Sequence, residues 1–323
     1  MINKLFNLIK KIYPNINEKE KHVDNRVKVI KSDIIPYDFL LSNYDGDFVF
    51  SKITKYIKKC KKYMKLIFKN IILHIFYINE NEINIKKLFK TIYRAYTLVK
   101  INNNTNNIFN IYILMSPYKR YICKKCIIKP LHINGGFTFV NNNDKIKNIF
   151  ISRKEEYPKV ILHEIIHHFN DINKNYWELN NIKKLKKHFK ISNKTILNPN
   201  EAIIELWATI YSILFISYEY KVPYKFLLSK EINYSLKQSY KIKLLQNNKE
   251  WHEKSNAYCY IIFKTILLYN FNKLMKIYTF PYDTNIISEF LIKNSELPFK
   301  NIKNIEYYHR KKNTLCMMLF SDY

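Results

Sequence analysis

The segment His163-Glu164-Ile165-Ile166-His167 has the residue types and the spacing of a metal-dependent hydrolase. Two histidines four positions apart on a helix lie one turn from each other, so both imidazole rings can reach one metal ion. A glutamate next to the first histidine can hold a water on that metal and take its proton. We therefore predict that His163 and His167 are metal ligands and that Glu164 is the catalytic base.

A helix through this segment would turn a polar face toward a cleft. At about 100° per residue, His163 and His167 fall within about 40° of each other, with Glu164 beside them. The opposite side is apolar and consists of Leu162, Ile165, Ile166 and Phe169. This pattern favours a metal site over a chance match on a solvated helix. His168 points about 100° away from His167, so we expect it behind the ligands or at the surface.

A catalytic zinc ion takes three protein ligands and keeps a fourth position for water. One common source of the third ligand is the pattern H-E-x-x-H-x-x-G-x-x-H, but this chain has Asn170 and Asn173 where that pattern has glycine and histidine. That class of metallopeptidase is therefore excluded. The other common source is a glutamate on a later helix. The segment 200–205, NEAIIE, offers Glu201 and Glu205 one helical turn apart.

Together the two segments resemble the gluzincins, the thermolysin-like clan of zinc metallopeptidases, whose second motif reads N-E-x-x-x-D/E. The resemblance covers roughly residues 70–215. It implies one Zn²⁺ ion per chain, held by His163, His167 and Glu201. It also implies that Glu205 accepts the ring N–H of a ligand histidine, His163, and thereby fixes the orientation of that ring. The substrate implied is a peptide or protein.

Two observations argue against Glu201 as the third metal ligand. Residues 198–201 also form a good helix start, with Asn198 as the N-cap and Glu201 in a capping box, which would explain Glu201 without any metal. In addition, the 33 residues between His167 and Glu201 exceed the thermolysin-like spacing, so the lysine-rich insertion 171–197 would have to loop out. If Glu201 is not the ligand, Glu205 and then His188 are the alternatives.

Two of the three glycines of the chain are adjacent, at Gly135 and Gly136. A glycine pair where glycine is so rare indicates a backbone need, such as a positive φ, a bulge or the close approach of another segment. In zincins, the strand above the metal is an exposed edge that pairs with the substrate backbone. On that interpretation Gly135, Gly136 and Phe137 line the substrate cleft. An ordinary tight turn before a strand explains the pair equally well.

Peptide hydrolysis also requires a hydrogen-bond donor for the oxyanion that develops on the attacked carbonyl. The resemblance implies a tyrosine or histidine from the C-terminal half of the chain. His252 is our first candidate for this catalytic role, and Tyr258, Tyr260 and His309 are alternatives.

Hydrophobic periodicity predicts the elements that position these residues. We predict helices at 1–13, 48–68, 83–99 and from Pro158 onward, strands at 70–78, 108–115, 136–140 and 147–152, and mostly helix after 171. This order predicts an α+β protein with an N-terminal mixed sheet and a largely helical C-terminal part. The resemblance narrows the expectation to a zincin-like metalloprotease fold.

The predicted organisation has three parts. Residues 1–45 are a lead-in, residues 46–171 form an α/β zincin-like subdomain that ends in the active-site helix, and residues 172–323 form a mainly helical subdomain that carries the third ligand.

The composition gives little reason to expect a nucleic-acid partner, despite a formal net charge of +29. Lys, Asn, Ile and Tyr are abundant while there are only three Gly and five Arg, a bias that resembles proteins from AT-rich genomes. Nucleic-acid binders favour arginine for base and phosphate contacts, and arginine is scarce here. We therefore regard nucleic acid as an unlikely primary partner. Two alternatives to a peptidase stay open: a non-catalytic zincin-fold structural or interaction protein, and a basic nucleic-acid-associated protein.

The remaining features predict a soluble, intracellular protein. The five cysteines are odd in number and scattered, which favours a reducing compartment, and the lone pair Cys123 and Cys126 is a weak metal signal. The N-terminal segment lacks the apolar core and cleavage site of a secretory signal. The apolar run 202–216 is short for a membrane span, so we predict no transmembrane segment.

Overall fold

Six strands form one mixed sheet, with helices on both faces. The computed structural model describes residues 1–14, 25–44, 51–121, 127–141, 144–169, 176–279, 281–299 and 316–320. The strands are β1 (Lys28–Ser32), β2 (Lys62–Phe68), β3 (Ile71–Tyr77), β4 (Ile108–Leu114), β5 (Gly136–Thr138) and β6 (Ile146–Ile151). Their order in the sheet is β1-β2-β3-β4-β6-β5. The central pairs β3/β4 and β4/β6 are parallel, whereas β1/β2, β2/β3 and β5/β6 are antiparallel.

The predicted strands 70–78, 108–115, 136–140 and 147–152 correspond to β3 to β6. The predicted helix 83–99 is α4 (Ile85–Ile101), whose first turn is capped by the Asn84 side chain, 3.0 Å from the Lys87 N–H. The mixed sheet and the surrounding helices make this an α+β protein, as predicted.

The predicted helix 48–68 is wrong over its second half. The chain forms a short helix, α3 (Ser51–Ile57), and then strand β2. Along β2 the side chains of Met64, Leu66 and Phe68 are buried at every second position, which is the period of a strand. A tight turn at Lys69, where φ is 54°, then pairs β2 with β3.

The lead-in 1–45 is more regular than predicted. It contains the predicted helix, α1 (Ile2–Ile12), and in addition strand β1 and helix α2 (Tyr37–Asn43). Four of the five residues of β1 are exposed because the strand lies at the edge of the sheet, so its sequence carries no alternation that would reveal it.

A short helix, α5 (Pro130–Ile133), lies before β5, and the remaining helices follow β6. They are α6 (Tyr157–Ile166), α7 (Leu179–Phe189), α8 (Asn200–Tyr220), α9 (Tyr224–Gln246), α10 (Lys264–Tyr269), α11 (Phe271–Leu274) and α12 (Thr284–Lys293), with a π-helix at Cys259–Phe263 before α10. This part of the chain is mostly helical, as predicted.

Two cores lie on opposite faces of the sheet. The main core joins the sheet to α4, α6 and α8, and it includes Ile75, Ile111, Ile161 and Ile203. The smaller core lies under α2 and α3, and it includes Leu40, Ile57, Phe76 and Phe150. Helix α6 packs against α8 and against strands β5 and β6, so it lies at the junction of the sheet and the helical part.

Helix α8 is long and apolar enough to cross a membrane. However, 94% of its most apolar 18-residue window is buried inside the protein. Burial on all sides by protein is the environment of a core helix.

Candidate metal centre

Helix α6 presents both motif histidines to the same space. It begins after Glu156, which has a positive φ of 59°, and every residue from Tyr157 to Ile166 is buried. His167 follows the last helical residue but keeps helical dihedrals, and its N–H bonds to the His163 carbonyl at 3.3 Å. The two imidazoles therefore lie one turn apart, with Nε2 of His163 and Nε2 of His167 separated by 3.2 Å.

Helix α8 brings Glu201 against the two histidines. Glu201 Oε2 lies 3.3 Å from Nε2 of His163 and 3.6 Å from Nε2 of His167. These three atoms are called the ligand triangle below. They come from two helices that are separated by more than thirty residues of chain. The structure thus places all three predicted ligands together.

The ligand triangle has the size that a small tetrahedral cation requires. Nitrogen and oxygen ligands of zinc lie about 2.0–2.1 Å from the metal, so two ligands in tetrahedral geometry are about 3.3–3.4 Å apart. The observed separations of 3.2, 3.3 and 3.6 Å bracket that value. In addition, Glu201 Oε2 is buried and makes no hydrogen bond of normal geometry. A buried carboxylate oxygen in that state requires a cation. Two imidazoles and one carboxylate therefore fit a divalent metal ion.

The electrostatics of the triangle favour positive charge. Burial opposes a charge on His163, but the Glu201 and Glu205 carboxylates at its two ring nitrogens outweigh burial and raise its pKa to about 9. Burial alone would raise the pKa of Glu201, but the adjacent imidazoles of His167 and His163 hold it well below its usual range. The site therefore attracts a cation, whether a proton or a metal ion.

Glu164 is buried beside the triangle. Burial raises the pKa of its carboxyl above the ordinary value, although the two neighbouring imidazoles oppose the shift. Its side chain lines the same cleft as His163. A carboxylate in this position is placed to exchange a proton with a reactant in the cleft.

Glu205 contacts His163 as predicted from the second motif. Its Oε2 lies 2.9 Å from Nδ1 of His163, the ring nitrogen that faces away from the triangle. The other carboxylate oxygen, Oε1, accepts a hydrogen bond from Nζ of Lys159. Lys159 was not among the residues predicted from the sequence. The available signal was its position, one helical turn before His163 on the same face of α6.

The alternative explanation of Glu201 as a capping residue is wrong. Helix α8 starts at Asn200 with Pro199 as N-cap, and no side chain caps it. Asn198 instead donates its side-chain amide toward Glu201 Oε1 at 3.5 Å, while Oε2 faces the histidines. His188, the other alternative metal ligand, is not part of the ligand triangle, and its ring bonds to Ser295 Oγ at 2.8 Å.

The described part of the insertion, residues 176–197, contacts the start of α8. Residues 170–175 lie outside the described part of the chain, and α7 follows them and packs against α12. Trp177 donates its indole N–H to Asn200 Oδ1 at 2.8 Å, and the Tyr282 hydroxyl donates to the same oxygen. The motif asparagine is thus held next to Glu201 by the insertion and by the C-terminal part.

The glycine pair is explained by close approach. A Cβ on Gly135 would lie against the Arg120 guanidinium and 3.0 Å from a methyl group of Val160 on α6. A Cβ on Gly136 would lie 2.8 Å from the Phe150 carbonyl oxygen of β6. Strand β5 can therefore pack tightly on α6 only with glycine at these positions. Within the described residues, β5 pairs only with β6 and is an edge strand.

A small cleft, called the metal cleft below, runs from the edge strand to His163. Its lining includes Gly135, Gly136, Glu164, Met317 and Tyr260. Phe137 instead packs in the smaller core on the opposite face of the sheet, with its ring 5.2 Å from that of Phe150. The alternation of a strand explains this, since neighbours in sequence point to opposite faces.

Of the four oxyanion candidates, the structure brings Tyr260 to the metal cleft. Its ring centroid is 5.7 Å from that of His163, and it lies in the π-helix Cys259–Phe263, an element frequent at functional sites. His252 does not line the cleft, and its ring contacts Thr195 Oγ1 at 3.3 Å. The Tyr258 hydroxyl bonds to Gln246 Oε1 at 3.3 Å. His309 lies outside the described residues, as do Cys123 and Cys126.

His168 lies behind the ligands and joins α6 to the edge strand. Its Nε2 is 2.8 Å from Thr138 Oγ1 on β5, and its side chain is buried. Burial lowers the pKa of His168 to about 3, so the ring is neutral at physiological pH.

Comparisons of this chain with protein-family models, with curated proteins and with solved structures find no match. The function is therefore inferred from the chemistry of the metal centre and the metal cleft.

Proposed function

We propose that this chain is a zinc-dependent metallopeptidase in which His163, His167 and Glu201 hold one zinc ion. The observation that carries the proposal is the ligand triangle, in which two sequence motifs from separate helices meet at tetrahedral spacing beside a buried glutamate. Chance would have to place all four side chains together. Zinc is the preferred ion because two neutral imidazoles and one carboxylate are a common ligand set of catalytic zinc sites.

When bound, zinc supplies a Lewis acid that polarises a carbonyl and brings the pKa of a water toward neutrality. Glu164 takes the proton of the attacking water and passes it to the leaving amine. The location of its carboxylate in the metal cleft and its burial among the histidines support this role. Glu205 keeps the His163 ring oriented through the 2.9 Å contact at Nδ1.

We assign the oxyanion-stabilising role to Tyr260 in place of His252. The Tyr260 side chain lines the metal cleft next to His163, whereas His252 does not. Burial raises the pKa of the Tyr260 hydroxyl well above its ordinary value, with the nearby carboxylates adding to the shift. The hydroxyl is therefore protonated at neutral pH and can donate a hydrogen bond to a developing oxyanion.

The substrate in this proposal is an extended peptide that adds a strand to β5. Three features support it: the edge position of β5, its antiparallel pairing with β6, and the glycine pair where the strand enters the metal cleft. An antiparallel edge strand packed beside the metal helix is also the layout expected of a zincin-like fold. The buried free thiols Cys60 and Cys259 support an intracellular site of action.

Zinc content and peptide cleavage test this function together. Wild type and Glu164→Gln would be purified, their zinc measured, and both incubated with a peptide library. We expect one zinc per chain in both proteins and cleavage by wild type alone. Cleavage that is unchanged in Glu164→Gln would contradict the proposed base, and a metal-free protein without cleavage would contradict the function. Steep salt-dependent DNA binding by such a protein would indicate a nucleic-acid role instead.

A further inference from the structure

We propose that Lys159 is a positioning residue for the metal centre, acting through Glu205 on His163. This inference rests on the proposed zinc site. It assigns to Lys159 the task of keeping Glu205 aimed at Nδ1 of His163, so that Nε2 faces the metal.

The contacts form a short chain of buried polar groups. Lys159 Nζ donates to Glu205 Oε1, and Glu205 Oε2 lies 2.9 Å from Nδ1 of His163. Lys159 is 4% exposed and Glu205 is 2% exposed, so the ion pair is largely shielded from solvent although both side chains line the metal cleft. Both oxygens of the carboxylate are thereby engaged, and the carboxylate cannot rotate without losing a partner.

Hydrogen-bond chemistry connects this chain to the metal ligand. An ionised carboxylate can only accept, so the Nδ1 atom of His163 must be the donor. Its Nε2 atom then keeps a lone pair directed at the other two ligand atoms. A glutamate that loses its lysine partner would turn away or take up a proton, and either change would remove this control of the ring.

The location of Lys159 costs free energy of folding unless its charge has a partner. It lies in the first turn of α6, where the helix dipole disfavours a cation, and its side chain is buried. The nearby carboxylate Glu156 already bonds to Arg120 and to the backbone N–H groups of Met317 and Met318. Glu205 is the carboxylate in direct contact with the Lys159 ammonium group.

Helix register gives the contact a second consequence. Glu205 lies one turn after Glu201 on α8, and Lys159 lies one turn before His163 on α6. The ion pair therefore holds the two helices at the offset that places Glu201 within 3.3 Å of His163 Nε2.

Lys264 offers a matched control. It is also a buried lysine, 2% exposed, and it lies 3.8 Å from Glu231 Oε1 and donates to Ser235 Oγ at 2.8 Å. Its loss would remove a buried ammonium group at comparable depth, and the carboxylate beside it, Glu231, keeps its bonds from Ser235 and Leu319 and does not contact a ligand histidine. Lys264 also lowers the pKa of Glu205 from a distance without contacting it, so a Lys264 variant separates the loss of nearby positive charge from the loss of the direct contact.

The test measures Zn²⁺ affinity by competition with a chromogenic chelator for wild type, Lys159→Met, Lys159→Arg and Lys264→Met. Circular dichroism of the metal-free proteins would establish that each is folded. We expect Lys159→Met to bind Zn²⁺ about tenfold or more weakly, as for residues that orient metal ligands. Lys159→Arg should recover most of that loss, and Lys264→Met should stay close to wild type.

Three outcomes would overturn the inference. They are wild-type affinity in Lys159→Met, an equal loss of affinity in Lys264→Met, and an arginine variant as weak as the methionine variant. A wild-type chain that binds no Zn²⁺ would instead contradict the proposed function itself, before any variant is compared. The absorption spectrum of Co²⁺ in the same proteins gives an independent readout, since a disturbed ligand geometry changes its visible bands. An unchanged spectrum in Lys159→Met would contradict the positioning role.

Discussion

His163, which is buried, and His74, which is half-buried, lie on opposite faces of the sheet and have opposite properties. His163, between α6 and α8, has its pKa raised to about 9, whereas burial lowers the pKa of His74 on β3 to about 4. His74 has only neutral partners on its ring nitrogens, the Tyr63 hydroxyl at 2.8 Å and the Asn110 amide oxygen at 3.4 Å. His163 has a carboxylate at each ring nitrogen. Burial alone therefore makes a histidine neutral, and the carboxylates turn the same side chain into part of a cation site.

The contrast between a raised and a lowered histidine pKa also occurs within one short segment of the chain. His168 is the residue after His167, but it contacts Thr138 and Phe109, and its pKa is lowered to about 3. The metal centre thus depends on which elements meet α6, and α8 supplies the carboxylates. The predictions below alter one side of this contrast at a time.

Removal of the carboxylate at the metal itself should have the largest effect. Glu201→Ala deletes a ligand, whereas Glu205→Ala deletes a group that orients a ligand. We expect Glu205→Ala to weaken Zn²⁺ binding by about 10–100-fold and Glu201→Ala to weaken it further, so that the purified variant holds no zinc. Chelator competition measures both. The reverse order would mean that Glu205 is the ligand and that α8 is shifted by one turn.

The assignment of Tyr260 predicts the next largest effect. Tyr260→Phe removes the donor from the metal cleft and should lower kcat by about 10²–10³-fold with zinc content unchanged. His252→Ala is the matched comparison, because His252 contacts Thr195 outside the cleft, and its loss should leave kcat close to that of wild type. Steady-state kinetics on one cleaved peptide would separate the two. A larger loss in the histidine variant would restore the original assignment.

Close packing of the edge strand predicts an effect on stability. An alanine at Gly136 would place its Cβ 2.8 Å from a backbone oxygen, which cannot move aside as a flexible side chain could. Gly136→Ala should therefore cost about 1–3 kcal/mol of unfolding free energy. Phe139→Ala is the control, since Phe139 is 67% exposed at the end of the same strand. Urea denaturation measures both, and equal stabilities would argue against tight contact between β5 and α6.

The neutral histidine predicts a dependence of stability on pH. Because the folded pKa of His74 is about 4 and the unfolded value is 6.5, the unfolded chain binds more protons between these values. The neutral His74 therefore contributes fully to the free energy of unfolding above pH 6.5. This contribution decreases by up to about 3 kcal/mol as the pH falls toward 4. His74→Phe should flatten this part of the pH profile relative to wild type. Parallel profiles of the two proteins would show that His74 is not neutral when folded.

Much of the candidate metal centre was predictable because its residues follow helical spacing within short segments. His163, Glu164 and His167 share one turn, and Glu201 follows the motif asparagine directly. Lys159 and Tyr260 were not predictable, because their importance arises from contacts between elements that are distant in sequence. A local sequence pattern shows which face of a helix is apolar. It does not show which residues of another element pack against that face.

The strands were predictable from the sequence where at least one face of the strand is strongly buried. Strands β3, β4 and β6 are rich in buried branched and aromatic residues, and each was predicted close to its observed bounds. Strand β1 was missed because its side chains are exposed, and β2 was assigned to a helix because its intervening lysines obscured the alternation of period two. Edge strands and partly exposed strands carry little burial pattern, so their sequences resemble other amphipathic segments.

The most direct test of the central claim is the zinc stoichiometry of the wild-type chain. Native mass spectrometry after dialysis against Zn²⁺ and then against a weak chelator would count the ions that remain. If the carboxylates and imidazoles between α6 and α8 form a tetrahedral zinc site, each chain retains one zinc ion. A chain that retains none, or several that exchange freely, would contradict the account.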